Sequence, residues 1–237
     1  MGNLPKDQRE ALVDGVVFKL SEVLPDDNEI DEIIADIKTR TIDIRNQDSF
    51  NRQVKTLLDK GYSMAAGMDV EQFLEYMNPL MDKFREGDLI VIPERMVPIH
   101  CQMSRVEFGN NGKAGYAKIN LGVLRQAHGI NTPNVPYLIR DVENGPQLDF
   151  SSNPDNRAEW FRENGRSVLV VEEGISIVTH KPKTFKDYNI HLFGSRNGGD
   201  EIAILWLFDG RPKLGWTHAD RSDLEWCSAS CGSRISV

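Results

Sequence analysis

A cysteine among small residues is the first group in this chain that has the chemistry of a catalyst. Cys231 follows the run Ser228-Ala229-Ser230 and precedes a glycine, so a turn could expose its thiol. The nucleophile would be the thiolate, which needs a base or a positive charge close by. His180, His191 or His218 could supply that base, and sequence spacing does not decide among them. The alternative is an inert buried cysteine, because small residues also allow close backbone packing.

Positive side chains next to glycines suggest a second kind of chemistry. Gly194-Ser195-Arg196 precedes the apolar run 202–208, and Arg211 and Lys213 follow it. Glycine backbone N–H groups and the arginine fork both suit phosphate or carboxylate, so one hairpin could gather these cations into an anion site. The candidate ligand-binding residues are Gly194, Ser195, Arg196, Arg211, Lys213 and Trp216. The alternative is a plain hairpin with a glycine turn and solvated cations.

Metal and hydrolase sites receive less support from the sequence. Cys227 and Cys231 are four residues apart, and His100-Cys101 and His218 could complete a tetrahedral zinc site. That spacing is wider than the usual pair of zinc-binding cysteines, and the other ligands are scattered. The chain also has no Gly-x-Ser-x-Gly motif. We therefore expect no metal and no cofactor.

Three tryptophans recur at ten-residue intervals near the end of the chain, at positions 206, 216 and 226. They could line a ligand pocket or a peptide groove by stacking. They could equally be large core residues of a β-rich domain. The sequence leaves both interpretations open and favours the core.

The hydrophobic spacing separates a helical part from a β-rich part. Apolar residues recur every three or four positions in the predicted helices, which are 6–23, 29–44, 48–60 and 69–86. Short apolar runs predict strands from residue 88 onward, including 96–108, 190–193, 202–208 and 214–217. Two further helices are predicted over 154–164 and 172–179. This order predicts an α+β fold, with a helical N-terminal region followed by a largely antiparallel or mixed β-sheet domain with one or two covering helices.

Charge and composition limit the classes of partner that we expect for this protein. Residues 1–87 carry 11 basic and 18 acidic side chains, and the rest of the chain carries 17 and 18, so neither part has the basic surplus that non-specific nucleic-acid binding needs. We predict an acidic helical extension over 1–47 and an α+β domain over 48–237, with helices in 48–86 and strands in 88–237. No run approaches the roughly 18 apolar residues that cross a membrane. Three cysteines are too few for a disulfide framework, so we expect a cytoplasmic protein.

Several blocks of the chain resemble an uncharacterised bacterial domain family. The blocks, in order, are Phe50-Asn51-Arg52-Gln53-Val54 with Leu57-Leu58 and Lys60-Gly61-Tyr62, then Tyr137-Leu138-Ile139, Glu173-Gly174, Gly194-Ser195-Arg196, Arg211-Pro212-Lys213-Leu214-Gly215-Trp216 and Ser228-Ala229-Ser230-Cys231-Gly232. The resemblance covers about residues 48–237. It implies that the chain is related to this family and does not indicate an activity.

The sequence thus favours a non-enzymatic interaction or small-anion-binding module. Its expected partner is an anionic small ligand or another protein, with no membrane and no non-specific nucleic acid. The alternative is an enzyme that uses Cys231 as nucleophile and His180 or His218 as base. The sequence leaves open whether the protein is an enzyme.

Overall fold

The computed structural model of the protein describes residues 27–108, 112–144, 154–184, 189–198, 201–218 and 226–237. The predicted helix 6–23 lies outside these ranges. The chain divides into two compact units, Met1–Ser49 and Phe50–Val237. The domain boundary predicted after residue 47 stays a prediction.

Three helices open the described chain. Helix α1 is continuous over Asp27–Asp59, so the two helices predicted over 29–44 and 48–60 are one. In the first unit, Thr39 and Thr41 donate their hydroxyls to carbonyls one turn earlier, and Arg40 pairs with Asp36. Helix α2 covers Tyr62–Ala65 and helix α3 covers Val70–Met81.

Helix α3 has a well-defined start. The Asp69 carboxylate accepts a hydrogen bond from the Gln72 backbone, and the Gln72 side chain accepts one from the Asp69 backbone. This reciprocal cap satisfies two N–H groups that the first turn would otherwise leave without partners. Pro79 lies inside the helix without ending it.

A three-stranded antiparallel sheet follows, in the order β1-β4-β11. Its strands are β1 (Leu89–Val91), β4 (Tyr137–Arg140) and β11 (Ser233–Ile235). Between β1 and β4 the chain forms helix α4 (Ile99–Met103), strand β2 (Tyr116–Ala117), a 3₁₀ turn (Leu121–Val123) and strand β3 (Arg125–Gln126). The strand predicted over 96–108 was wrong, because Ile99 and Met103 are buried four residues apart on one face of α4.

The second sheet has eight strands and is mixed. Besides β2 and β3, its strands are β5 (Glu143–Asn144), β6 (Ser167–Val168), β7 (Asn189–Arg196), β8 (Glu201–Phe208), β9 (Arg211–His218) and β10 (Trp226–Cys231). The main order is β2-β9-β8-β7-β10-β5, with β3 pairing to β7 and β6 to β10. The β2–β9 and β7–β10 pairs are parallel and the others antiparallel. Helix α5 covers Pro154–Glu163, as predicted to within a residue.

Helix α6 (Val171–His180) is the centre of the second unit, and nine of its ten residues are buried. It packs against β1 of the small sheet and against β7 and β8 of the large sheet. A Cβ at Gly174 would lie 2.6 Å from Leu192, so glycine is what allows α6 to approach β7 this closely. The main hydrophobic core surrounds this helix, and a second core fills the space between α1, α2, α3 and the other face of β1. The predicted α+β class is confirmed.

A buried ion pair ties the last strand to the central helix. The Arg234 guanidinium donates from Nε and Nη2 to the two carboxylate oxygens of Glu173, at 2.5 and 2.8 Å. The Tyr137 hydroxyl and the Val170 backbone N–H also donate to this carboxylate. Glu173 has no solvent exposure, and its four hydrogen bonds compensate for the loss of water.

Candidate functional site

Two of the predicted anion-site residues support the start of helix α6. The Ser195 hydroxyl accepts a hydrogen bond from the Val171 N–H at 2.9 Å, and Ser195 is buried. The Gly194 N–H donates to the Leu169 carbonyl, and its own carbonyl accepts from Ala127. These groups are therefore used inside the fold and do not face a ligand.

The structure separates the predicted cations into two places. Arg196 ends β7 opposite Ile202, whereas Arg211 begins β9 opposite Phe208. Ile202 and Phe208 are six residues apart on β8, which is about 20 Å of strand. This corrects the expectation that one hairpin gathers all three cations, because residues that flank a strand lie at its opposite ends.

Arg211 and Lys213 do lie together, on one face of β9. The Lys213 ammonium is 4.6 Å from the centroids of both the Trp206 and the Phe208 rings, and the Arg211 guanidinium is 4.8 Å from that of Tyr116. Arg211 also donates from Nε and Nη2 to the Ala114 carbonyl, at 3.1 and 2.9 Å. We call the surface formed by Tyr116, Trp206, Phe208, Arg211 and Lys213 the cation–aromatic face.

The backbone of β9 is shaped to receive the Trp206 ring. A Cβ at Gly215 would lie 2.5 Å from the end of this indole, so only glycine leaves room for it. Trp216, which the sequence also assigned to the site, packs against the main core instead. It alternates with Gly215 along the strand and so belongs to the inner face of the sheet.

The two cations of this face lack acidic partners in the described part of the chain. The nearby Lys113 pairs with Asp209 at 3.4 Å, but no described carboxylate pairs with Arg211 or Lys213. Phe208 is 55% exposed, which is unusual for a phenylalanine. The face therefore combines two positive charges with an exposed aromatic ring.

Cys231 and the predicted histidine bases lie apart. Cys231 has no solvent exposure, and burial raises the pKa of its thiol to about 12, with the Glu173 carboxylate adding to the rise. His180 is seven residues beyond Glu173 on α6, about 10 Å along the helix axis. His218 is exposed at the end of β9, opposite Glu201. His191 lies on β7 opposite Ser228, three residues before Cys231 on the neighbouring strand. A buried neutral thiol argues against a nucleophilic role.

His180 belongs to a different feature, a small polar cavity that we call the α6 chamber. Its volume is about 10 Å³, close to the room that one water molecule needs. The lining residues are Leu57, Tyr62, Ile90, Ile92, Gln102, Glu172, Ser176, Thr179 and His180. Four of them form a polar stripe at helical spacing on α6, and that spacing is the sequence signal that could have revealed the chamber.

The open edge of strand β1 forms one wall of the chamber. The Ile90 N–H donates to the Gln53 side chain at 2.9 Å, and the Ile90 carbonyl accepts from the Ser176 hydroxyl at 2.7 Å. His180 Nε2 is 3.3 Å from the same carbonyl, which can only accept, so Nε2 carries the proton. Nδ1 is then an acceptor, and no described residue donates to it.

Burial shifts the acidity of the chamber groups. It raises the pKa of Glu172 to about 7, and the negative charges of Glu173 and Glu94 add to the rise. It raises the pKa of Tyr62 to about 12, although Thr179 and Arg105 oppose the change.

The pKa of His180 shifts in the opposite direction. Burial lowers the pKa of His180 to about 4; Lys181 and Lys60 lower it further, and the hydrogen bond with Ile90 opposes them. Burial thus drives Glu172, Tyr62 and His180 toward their neutral forms.

The described residues contain neither a metal-binding cluster nor a membrane-spanning helix. No group of three His, Cys, Asp or Glu side chains in those ranges could hold a metal ion. No helix there is long and apolar enough to cross a membrane.

Comparison with known proteins gives a family but no activity. No curated protein and no solved structure matches the chain. Residues 56–236 match a family described as "Family of unknown function (DUF5701)". The match covers most of the chain and confirms the predicted kinship with an uncharacterised family. The chain belongs to the DUF5701 family.

Proposed function

We propose that this protein is a non-enzymatic binding module whose cation–aromatic face holds a carboxylate or phosphate group. One observation carries the proposal: Arg211 and Lys213 stand side by side on β9, and no described carboxylate neutralises them. Such a pair presents two positive charges to the same ligand.

The aromatic rings support this role by fixing the cations before a ligand arrives. A free lysine or arginine loses side-chain entropy when it binds, at a cost of about 0.5–1.5 kcal/mol. Lys213 is already held between Trp206 and Phe208, and Arg211 is held by Tyr116 and the Ala114 carbonyl. Pre-organisation lowers this cost, so a small anion can bind with few contacts.

The same rings argue against a nucleobase as the ligand. Bases bind by stacking on open aromatic faces. Here Lys213 and Arg211 already occupy one face of each of the three rings. The groups that remain available to a ligand are the positive charges, which suit an anion, and the exposed part of Phe208.

Thermal unfolding in different anions tests the proposal. Two charge-assisted contacts correspond to a dissociation constant near 1 mM. Citrate or inorganic phosphate at about 10 mM should therefore raise the melting temperature by about 3–5 °C over sodium chloride of equal ionic strength. The double variant Arg211→Gln/Lys213→Gln should lose this response.

The matched control removes two exposed cations elsewhere. Arg52→Gln/Lys55→Gln changes the net charge by the same amount on α1 and should keep the full response. If wild-type protein responds equally to every salt, or if the Arg211/Lys213 variant keeps the response, the proposal is wrong.

Thiol labelling separates this function from the cysteine-enzyme alternative. Because Cys231 is buried and its pKa is raised, iodoacetamide at pH 7 should leave it unmodified until denaturant is added. Mass spectrometry of the peptide that contains Cys231 reads the result. Rapid labelling of the native protein would restore the enzyme hypothesis.

A further inference from the structure

We infer that the partner of the cation–aromatic face is an acidic segment of another protein that presents two carboxylates on one side, about 7 Å apart. This inference rests on the proposed anion binding and names the molecule that supplies the anion.

The spacing of the two cations sets the spacing of the carboxylates. Arg211 and Lys213 are two residues apart on a strand, so they project from one face about 6.6–6.8 Å apart. An extended segment with carboxylates at alternate positions has the same repeat. A helical segment with carboxylates four residues apart presents them about 6 Å apart. Either can engage both cations at once, whereas neighbouring carboxylates in an extended segment point to opposite sides.

Both cations keep donors for such a ligand. A guanidinium has five N–H groups, and the Ala114 carbonyl receives one from Nε and one from Nη2 of Arg211. Three N–H groups therefore remain, enough for a carboxylate. The Lys213 ammonium is held by ring contacts, which leave its N–H groups able to donate.

Two observations favour a protein partner over a nucleic acid. The chain carries a net charge of −8, which repels a ligand with a charge on every unit more than one with two local carboxylates. Phe208 also exposes 55% of its surface next to the cations. An apolar side chain beside the carboxylates of a peptide would cover that ring, and a phosphate backbone would not.

Three peptides provide the test, and the first two have identical composition. The first alternates threonine and glutamate in a five-residue core, the second places the same two glutamates next to each other, and the third is an alanine-based helix with glutamates four apart. Fluorescence anisotropy at low salt should show the alternating or the helical peptide binding about fivefold more tightly than the adjacent one, since only these engage both cations. The better of the two identifies the conformation of the partner. Lys213→Gln should reduce the affinity for that peptide to the affinity for the peptide with adjacent glutamates. Lys55→Gln should leave the affinity unchanged.

The outcomes distinguish this inference from the proposed function. If citrate stabilises the protein through Arg211 and Lys213 but all three peptides bind alike, the anion site stands and the peptide inference is wrong. Tighter binding of an oligothymidylate of matched charge also overturns the inference. If neither citrate nor any peptide binds, both proposals are wrong.

Discussion

The cation–aromatic face and the α6 chamber handle ionisable groups in opposite ways. In the chamber, burial moves the pKa of Glu172 up and that of His180 down, so both groups favour their neutral forms. At the face, Arg211 and Lys213 lie against aromatic rings at the surface. The comparison teaches that ionisable groups inside this fold need a partner or lose their charge, whereas its candidate binding groups lie where charge costs little.

Breaking the buried Arg234–Glu173 ion pair should have the largest effect on stability, because it leaves a charge in the interior of the fold. Arg234→Met leaves the Glu173 carboxylate inside the core with two of its four hydrogen bonds. We expect a loss of about 3–5 kcal/mol in the free energy of unfolding, measured with urea. Lys55→Met breaks the exposed pair with Asp59 and should cost less than about 1 kcal/mol. Equal costs for the two variants would show that the interior pair does not stabilise the fold.

Opposite pH dependences should follow from the two chamber groups. The raised pKa of Glu172 favours the folded state at low pH, and this contribution is lost as pH rises from about 4.5 to about 7. The lowered pKa of His180 favours the folded state at high pH, and that contribution is lost as pH falls from about 6.5 to about 4. The two trends oppose each other between about pH 4.5 and 6.5.

Single variants should reveal each trend. Relative to wild type, Glu172→Gln should gain up to about 3 kcal/mol of unfolding free energy between pH 4.5 and 7. His180→Asn should gain a smaller amount as pH falls from 6.5 to 4, because His180 is only half-buried. Urea unfolding at several pH values measures both. Parallel curves for variant and wild type would mean that these groups titrate normally.

At the cation–aromatic face, a substitution at Gly215, which makes room for the Trp206 ring, should have an intermediate effect on stability. Gly215→Val places a side chain where the indole lies, so we expect a loss of about 1–3 kcal/mol and a weaker response to citrate. Valine otherwise favours strands, so a gain in stability would contradict this contact. Adding Trp206→Leu should recover stability and leave citrate binding impaired.

The smallest effect on stability should come from the cations themselves. Lys213→Gln removes contacts with two rings at a partly exposed position, which is worth about 0.5–1 kcal/mol. The same change should abolish most of the stabilisation by citrate. A large loss of stability would instead mean that Lys213 serves mainly to stabilise the fold.

Much of the fold was predictable because its elements have clear periodicity. The closing strands, helix α5 and the cap at Asp69 follow from local patterns. Helix α4 was missed because five residues with three buried positions resemble a strand as closely as a helix. The break predicted between residues 44 and 48 failed because capping residues such as Asp48 and Ser49 can also lie inside a continuous helix.

The site was less predictable because it depends on contacts between distant segments. The sequence brings Arg211 and Lys213 together through strand alternation, but the rings of Tyr116, Trp206 and Phe208 reach them only through pairing in the sheet. The conspicuous Gly194-Ser195-Arg196 block suggested an anion site, yet Ser195 binds the first turn of α6. The features that mark an anion site in sequence also mark a tightly packed helix start.

The most direct test of the central claim is a titration of isotope-labelled protein with citrate, followed by NMR. We predict saturable shifts at the Trp206 indole N–H and at the backbone amides of residues 206–211 and 213, with little change at residues 172–180 of the chamber. Shifts confined to α6, or none that saturate at the face, would contradict the assignment of anion binding to Arg211 and Lys213.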